Sequence, residues 1–126
     1  MAYPSPYRAG MSSLGYQWIT TLVRDEGIAA ERVFLPDAPE AWRAARMAPL
    51  SCETQTPLNR FPLIAVSLAY ELEIAGLIEL LELAGIPARR EDRGPGDPMV
   101  LLGGPISMAS PLAAAPFVDA MLLGEA

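Results

Sequence analysis

Histidine and lysine are absent from this 126-residue chain, and cysteine occurs once, at Cys52. Each gap removes a chemistry. Without imidazole there is no base for a Ser-His or Cys-His hydrolase. One thiol supports neither an internal disulfide nor the three or four ligands of a zinc site. A lone free cysteine is expected to behave as a small buried hydrophobe. The basic complement is arginine alone, nine residues scattered from Arg8 to Arg93, against fifteen acidic residues and a formal charge of −6. That balance argues against a surface that tracks nucleic-acid phosphates. Arginine without lysine, beside abundant Ala, Gly and Pro, fits a high-GC coding bias better than any arginine-specific role. Long hydrophobic runs are missing too. Although 52% of the residues are hydrophobic, every run is broken well before the roughly twenty residues of a membrane span. No basic segment followed by an apolar stretch opens the chain, so no secretory signal is visible and the cytoplasm is the expected compartment, with neither a membrane nor a nucleic acid as partner.

What is present reads as one α/β domain over residues 1–126. Apolar runs bounded by turn residues alternate with helical periodicity, the pattern of a parallel sheet with helices on both faces. A short first strand ends near Pro4. Ser12 or Ser13 caps a helix that places Leu14, Trp18 and Leu22 on one face, with Ile19 and Val23 beside them, and Gly27 ends it. Residues 30–35 form a second strand, 39–47 a short helix with Pro39 in its first turn, and 49–53 a short edge strand. Residues 63–68 are nearly all apolar, as expected of a central strand buried on both faces. Residues 69–84 form the clearest helix. Its stripe is Leu77, Ile78, Leu81 and Ala84, with Glu71 and Glu73 in the first turn and Gly85 and Pro87 at its end. A charged turn over 89–97 leads to a strand at 99–102, a helix at 111–118 and a last strand at 120–123. Only three residues precede the first loop, and no closing helix follows the last strand. The expectation is therefore a domain cut at both ends, a fragment or a mis-started reading frame.

Three loops fall where strands should end, the place at which open α/β sheets bind ligands. The first is Tyr3-Pro4-Ser5-Pro6-Tyr7-Arg8-Ala9-Gly10, the second Ser67-Leu68-Ala69-Tyr70-Glu71-Leu72, and the third Leu101-Leu102-Gly103-Gly104-Pro105. Glycines at 10, 103 and 104 allow close approach to the main chain, and Ser67 offers a hydroxyl. Taken singly, a Gly-Gly-Pro is more often a turn and a strand-end serine a helix cap. The stretch from Gly10 to Gly15 is not a phosphate loop, because Tyr16-Gln17 stand where Lys and Ser/Thr are required, and no Gly-x-Gly-x-x-Gly occurs. A flavodoxin-like or response-regulator-like module is weakened by Ser5, which stands where a phosphoacceptor site needs acidic residues.

Ser5-x-Tyr7-x-x-Gly10 resembles the Asp-x-His-x-x-Gly loop of cobalamin-binding domains, with only the glycine unchanged. Ser67-Leu68-Ala69 and Gly103-Gly104 are similar to their Ser-x-Leu and Gly-Gly segments. With the ending Leu122-Leu123-Gly124-Glu125, these phrases resemble the N-terminal cobalamin-binding-like domain of radical SAM proteins, fused ahead of an iron-sulfur barrel. The resemblance covers nearly the whole chain. It implies a three-layer Rossmann-like fold and a cobalamin site made by Ser5, Tyr7, Arg8 and Gly10, by Ser67, Leu68, Ala69 and Tyr70, and by Gly103, Gly104 and Pro105. Because Tyr7 replaces the histidine that would ligate cobalt, it also implies base-off binding with no imidazole beneath the metal, and Tyr7 or a water it holds in that place. A valine at position 104 is expected to exclude the nucleotide tail and spare the fold. The Cys-x-x-x-Cys-x-x-Cys that holds a 4Fe-4S cluster and S-adenosylmethionine is not in this chain, so the implied partner is a C-terminal radical SAM barrel and the domain alone is not catalytic. The alternative is a cofactor-free structural or interaction domain of the same fold.

Overall fold

The computed structural model describes residues 1–124. Five parallel strands, β1 (Ala2–Tyr3), β2 (Val33–Phe34), β3 (Leu63–Ser67), β4 (Met99–Gly103) and β5 (Ala120–Met121), lie in the order β2-β1-β3-β4-β5. The direction of winding reverses between β1 and β3, which makes the crevice above them the topological switch point of an open sheet. The helices are α1 (Tyr7–Gly10), α2 (Leu14–Asp25), α3 (Pro39–Ala44), α4 (Glu73–Leu83), α5 (Ile106–Ala109) and α6 (Pro111–Ala114). This is the Rossmann-like α/β architecture expected from the alternating pattern. Among the described residues no helix is long and apolar enough to cross a membrane.

Side-chain parity assigns the layers. Ala2, Val33, Ile64, Val66, Val100 and Leu102 point to one face, where they join Leu77, Leu80 and Leu81 of α4 in a single buried cluster. Tyr3 and Phe34 point to the other face and meet α2. The Tyr16 ring stands edge-on to both, at 5.3 and 5.5 Å between centroids, and its hydroxyl donates to the Met1 carbonyl at 2.9 Å. Burial raises the Tyr16 phenol pKa well above its ordinary value, so it stays a donor.

Several local expectations change. The stripe Leu14, Trp18 and Leu22 is not the buried face of α2: Leu14 is 82% and Trp18 61% exposed, and Tyr16 and Thr20 are buried instead. An aromatic ring with a hydroxyl that finds a carbonyl outcompetes the purely aliphatic stripe, because it satisfies a backbone acceptor while filling the space. Burial along β3 alternates, with Leu63 exposed, Ile64 and Val66 buried, and Ala65 and Ser67 partly open; the strand is buried on one face only. Residues 49–53 form no strand. A single antiparallel bridge joins Leu50 to Pro57, and the turn between them is pinned to Glu31, whose carboxylate accepts from the hydroxyls of Ser51 and Thr54. Cys52 sits on that turn and is exposed, not buried. The helix expected at 39–47 stops at Ala44, with Arg46 in the left-handed region that ends helices (φ 54°). The one expected at 111–118 breaks after Ala114, two residues before Pro116, which has no N–H to continue it.

Candidate functional site

The second and third loops form one unit. Ser67 and Gly103 are register partners at the carboxyl ends of β3 and β4. One residue on, Leu68 N–H donates to the Gly103 carbonyl and the Leu68 carbonyl accepts from Ile106 N–H, both at 3.1 Å. Gly104 has φ of +98°, and a Cβ there would stand 2.5 Å from the Leu68 carbonyl oxygen and 3.1 Å from Ser67 Oγ. Glycine is therefore required at 104 for the two loops to close on each other. Gly103 is different, because a Cβ at that position would meet nothing within 4 Å. The space above Gly103 is open, with the half-buried Ser67 at its side.

Beyond the strands, Ala69 and Tyr70 line a shallow cleft of about 340 Å³ with Glu71, Leu72, Ile106, Ala109 and Ser110. Two carboxylates shape it. Glu73, in the first turn of α4, accepts from Ala69 N–H at 3.2 Å, and Glu71 accepts from Ser110 Oγ, a hydrogen bond that ties the loop after β3 to the helices after β4. Leu68 is fully buried and belongs to the core. Pro105 is exposed at the start of α5, where its carbonyl accepts from Met108 and Ala109 N–H.

The first loop leans the other way. The Ser5 carbonyl accepts from Leu35 N–H at 3.2 Å, extending the pairing toward β2. The segment after it is the short helix α1, not an open loop. Tyr7 is 54% exposed and stands edge-on to Phe34 at 5.1 Å, Arg8 is exposed, and Gly10 is buried. A Cβ on Gly10 would lie 2.2 Å from the Phe34 ring. The glycine serves close packing of α1 on β2, and the Tyr7 ring stands against Phe34 of the same strand.

Sequence reading missed the residues that hold this rim. Gly76 lets α4 press on the first loop, since a Cβ there would stand 2.2 Å from the Pro4 carbonyl oxygen. Tyr3, at the switch point, has its phenol pKa raised by burial first and then by the Glu73 charge. A glycine inside an otherwise apolar helix was the available signal for Gly76.

A family model described as radical SAM proteins, N-terminal, matches residues 15–126. The chain belongs to that family. The match takes in the Ser67 and Gly103 loops of this radical SAM N-terminal domain and begins after Gly10, so the first loop lies outside it. No curated protein matches the chain.

Proposed function

We propose that this radical SAM N-terminal domain is an accessory domain that presents base-off cobalamin to a C-terminal iron-sulfur barrel of the same protein. The observation that carries the reading is the open space above Gly103, flanked by Ser67, at the carboxyl ends of two central strands beside the switch point. Ligands of open α/β sheets sit there. The residues fit in part. Gly103 and Ser67 would hold the flat ring system or its nucleotide tail by close backbone approach and one hydroxyl, with Ala69 and Tyr70 walling the cleft. At the first loop no imidazole exists that could ligate cobalt, and the Tyr7 ring is turned toward Phe34. When bound, cobalamin supplies a transferable methyl group. The domain's own residues would bind and orient the cofactor at this rim, where Glu71 and Glu73 sit beside Ala69 and Tyr70, for the partner barrel.

The test is spectroscopic. Hydroxocobalamin added at neutral pH should give a base-off absorption spectrum and remain with the protein through gel filtration. Valine at position 104 cannot serve as the blocking variant, because its Cβ would strike the Leu68 carbonyl and damage the fold. Gly103→Val is the clean block, since it fills only the open space; it should abolish binding and leave the circular dichroism unchanged. A folded protein with no spectral change and no retained cobalamin would establish the second reading, a cofactor-free docking domain. That reading is favoured by one observation, the packing of Tyr7 and Gly10 against Phe34 in place of an open ligand loop.

A further inference from the structure

Helix α2 is apolar on two sides. Its sheet side buries Tyr16 and Thr20, yet at about 100° per residue Leu14 and Trp18 lie on the opposite side, 82% and 61% exposed, with Leu22 37% exposed beside them. From Leu14 to Val23 there is no charged residue. A surface helix ordinarily turns a charged face to water, and one that is apolar all round is covered. The outer face is also shaped. Leu14, Gln17, Trp18 and Thr21 stand at i, i+3, i+4 and i+7, the four positions that make a hole for a knob from a facing helix. With Gly15 they line a shallow hollow of about 560 Å³. A Cβ on Gly15 would meet nothing within 4 Å, so there is room beside the hole for an aromatic ring.

We infer that this face pairs with the same face of a second copy of the chain, the two α2 helices lying antiparallel about a two-fold axis at Trp18. The stripe is self-complementary. With Trp18 on the axis, Leu14 of one copy meets Leu22 of the other and each indole enters the other's hole, the isologous contact of a two-fold dimer. The ends of the helix are complementary in charge to an antiparallel copy. The first turn of α2 holds no acidic residue, whereas Asp25 closes the helix and Glu26 follows it, both beside the negative end of their own dipole. Antiparallel pairing brings that acidic end to the positive end of the second copy. Arg8 is exposed there, with Ser12 Oγ donating to its carbonyl at 2.8 Å. Among the described residues Arg8, Asp25 and Glu26 make no ion pair within the chain. The size fits a reversible dimer. Twelve residues span about 18 Å, and a single helix pair of that length buries less than the roughly 800 Å² per partner of a standard interface. The net charge of −6 does not oppose the contact, because the stripe is uncharged and exposed charges more than about 8 Å apart are largely screened at physiological salt. The inference is independent of cobalamin.

Sedimentation of the chain without cobalamin tests it before any substitution is made. The weight-average mass should rise from one copy toward two between about 5 and about 500 µM protein, and tryptophan emission should shift to the blue over the same range as Trp18 leaves water. Trp18→Glu, at an exposed position, should leave the circular dichroism unchanged and weaken the dimer at least about tenfold, because it sets two carboxylates face to face across the axis. Trp18→Arg should be monomeric alone for the same reason, and mixing the two variants should restore the dimer. Direction is read by cross-linking in a Cys52→Ser background, which removes the exposed native thiol. A mixture of Leu14→Cys and Leu22→Cys chains should form a disulfide between the two variants, and neither should cross-link to itself. A monomer at about 500 µM would overturn the inference. So would a dimer unmoved by Trp18→Glu, a Glu and Arg mixture that stays monomeric, or a Leu14→Cys chain that cross-links to its own kind.

Discussion

The two faces of one sheet are held by different physics. Beneath α4, Ile64, Val66, Val100 and Leu102 meet Leu77, Leu80 and Leu81 in one buried apolar cluster. Beneath α2, three aromatic rings meet edge-on and the helix is strapped down at its far end by charge, Arg24 and Arg32 both bonding Glu53 at 2.8 and 2.6 Å. The first arrangement draws its stability from area removed from water and tolerates no cavity. The second is narrower, more polar and open on one side. A substitution of the same type should therefore cost very different amounts on the two faces.

The largest effect is expected in the α4 layer. Leu81→Ala, at a fully buried position, should cost about 2 to 5 kcal/mol in a denaturant titration. A loss below about 0.5 kcal/mol, the scale of a surface change, would take α4 out of the core. Next comes the contact between α4 and the first loop. Gly76→Ala places a methyl 2.2 Å from the Pro4 carbonyl oxygen, and overpacking against a backbone that cannot yield should cost about 1 to 3 kcal/mol. Alanine has the better helix propensity, so a stabilised variant would mean that α4 stands farther from Pro4 than described.

The strap under α2 supplies a pH test. Burial, the largest single influence on Glu53, pushes its pKa up, but hydrogen bonds from the Arg32 backbone and from the Arg32 and Arg24 guanidinium groups outweigh it and hold the carboxyl at about 2, against an ordinary 4.5. A carboxylate with a depressed folded pKa binds protons more readily when unfolded. Its contribution is thus fully present above about pH 5 and is lost as the pH falls toward about 2. For a pair this close to solvent the loss is on the order of 1 kcal/mol. Glu53→Gln should flatten that part of the stability profile, and an unchanged acid limb in the variant would show that the strap does not contribute. The smallest effect belongs to the open face: Leu63→Ala in the 126-residue chain should change stability by less than about 0.5 kcal/mol. A cost comparable to Leu81→Ala would mean that Leu63 is covered already and would erase the difference between the faces.

The fold class, the central strands and the α4 stripe were legible because they follow from periodicity. Leu77 and Leu81 recur at helical spacing, and residues 63–68 and 99–102 read as apolar runs bounded by turns. The α2 stripe was misread for the same reason. Leu14, Trp18 and Leu22 have the right spacing, yet hydropathy says nothing about the Met1 carbonyl that Tyr16 satisfies or the rings it meets. Cys52 was expected inside from composition, but the polar turn formed by Glu31, Ser51 and Thr54 carries it outward. At the site, the adjacency of the Ser67 and Gly103 loops could be anticipated from strand order. The folding of residues 7–10 into a helix against Phe34 could not, since it depends on a partner more than twenty residues away.

By itself, the sequence determined which chemistries are impossible here, through the missing histidine and the single cysteine, and which segments alternate as strand and helix, because side-chain periodicity is local. Only the tertiary structure decided which glycine is required for close packing and which opens a space, which flank of α2 faces the sheet, and that one face of β3 and β4 is partly uncovered. Those are properties of distances between segments remote in the chain, and residues such as Gly103 and Gly104, neighbours in sequence and identical in composition, differ in backbone conformation and in what stands within 4 Å of them.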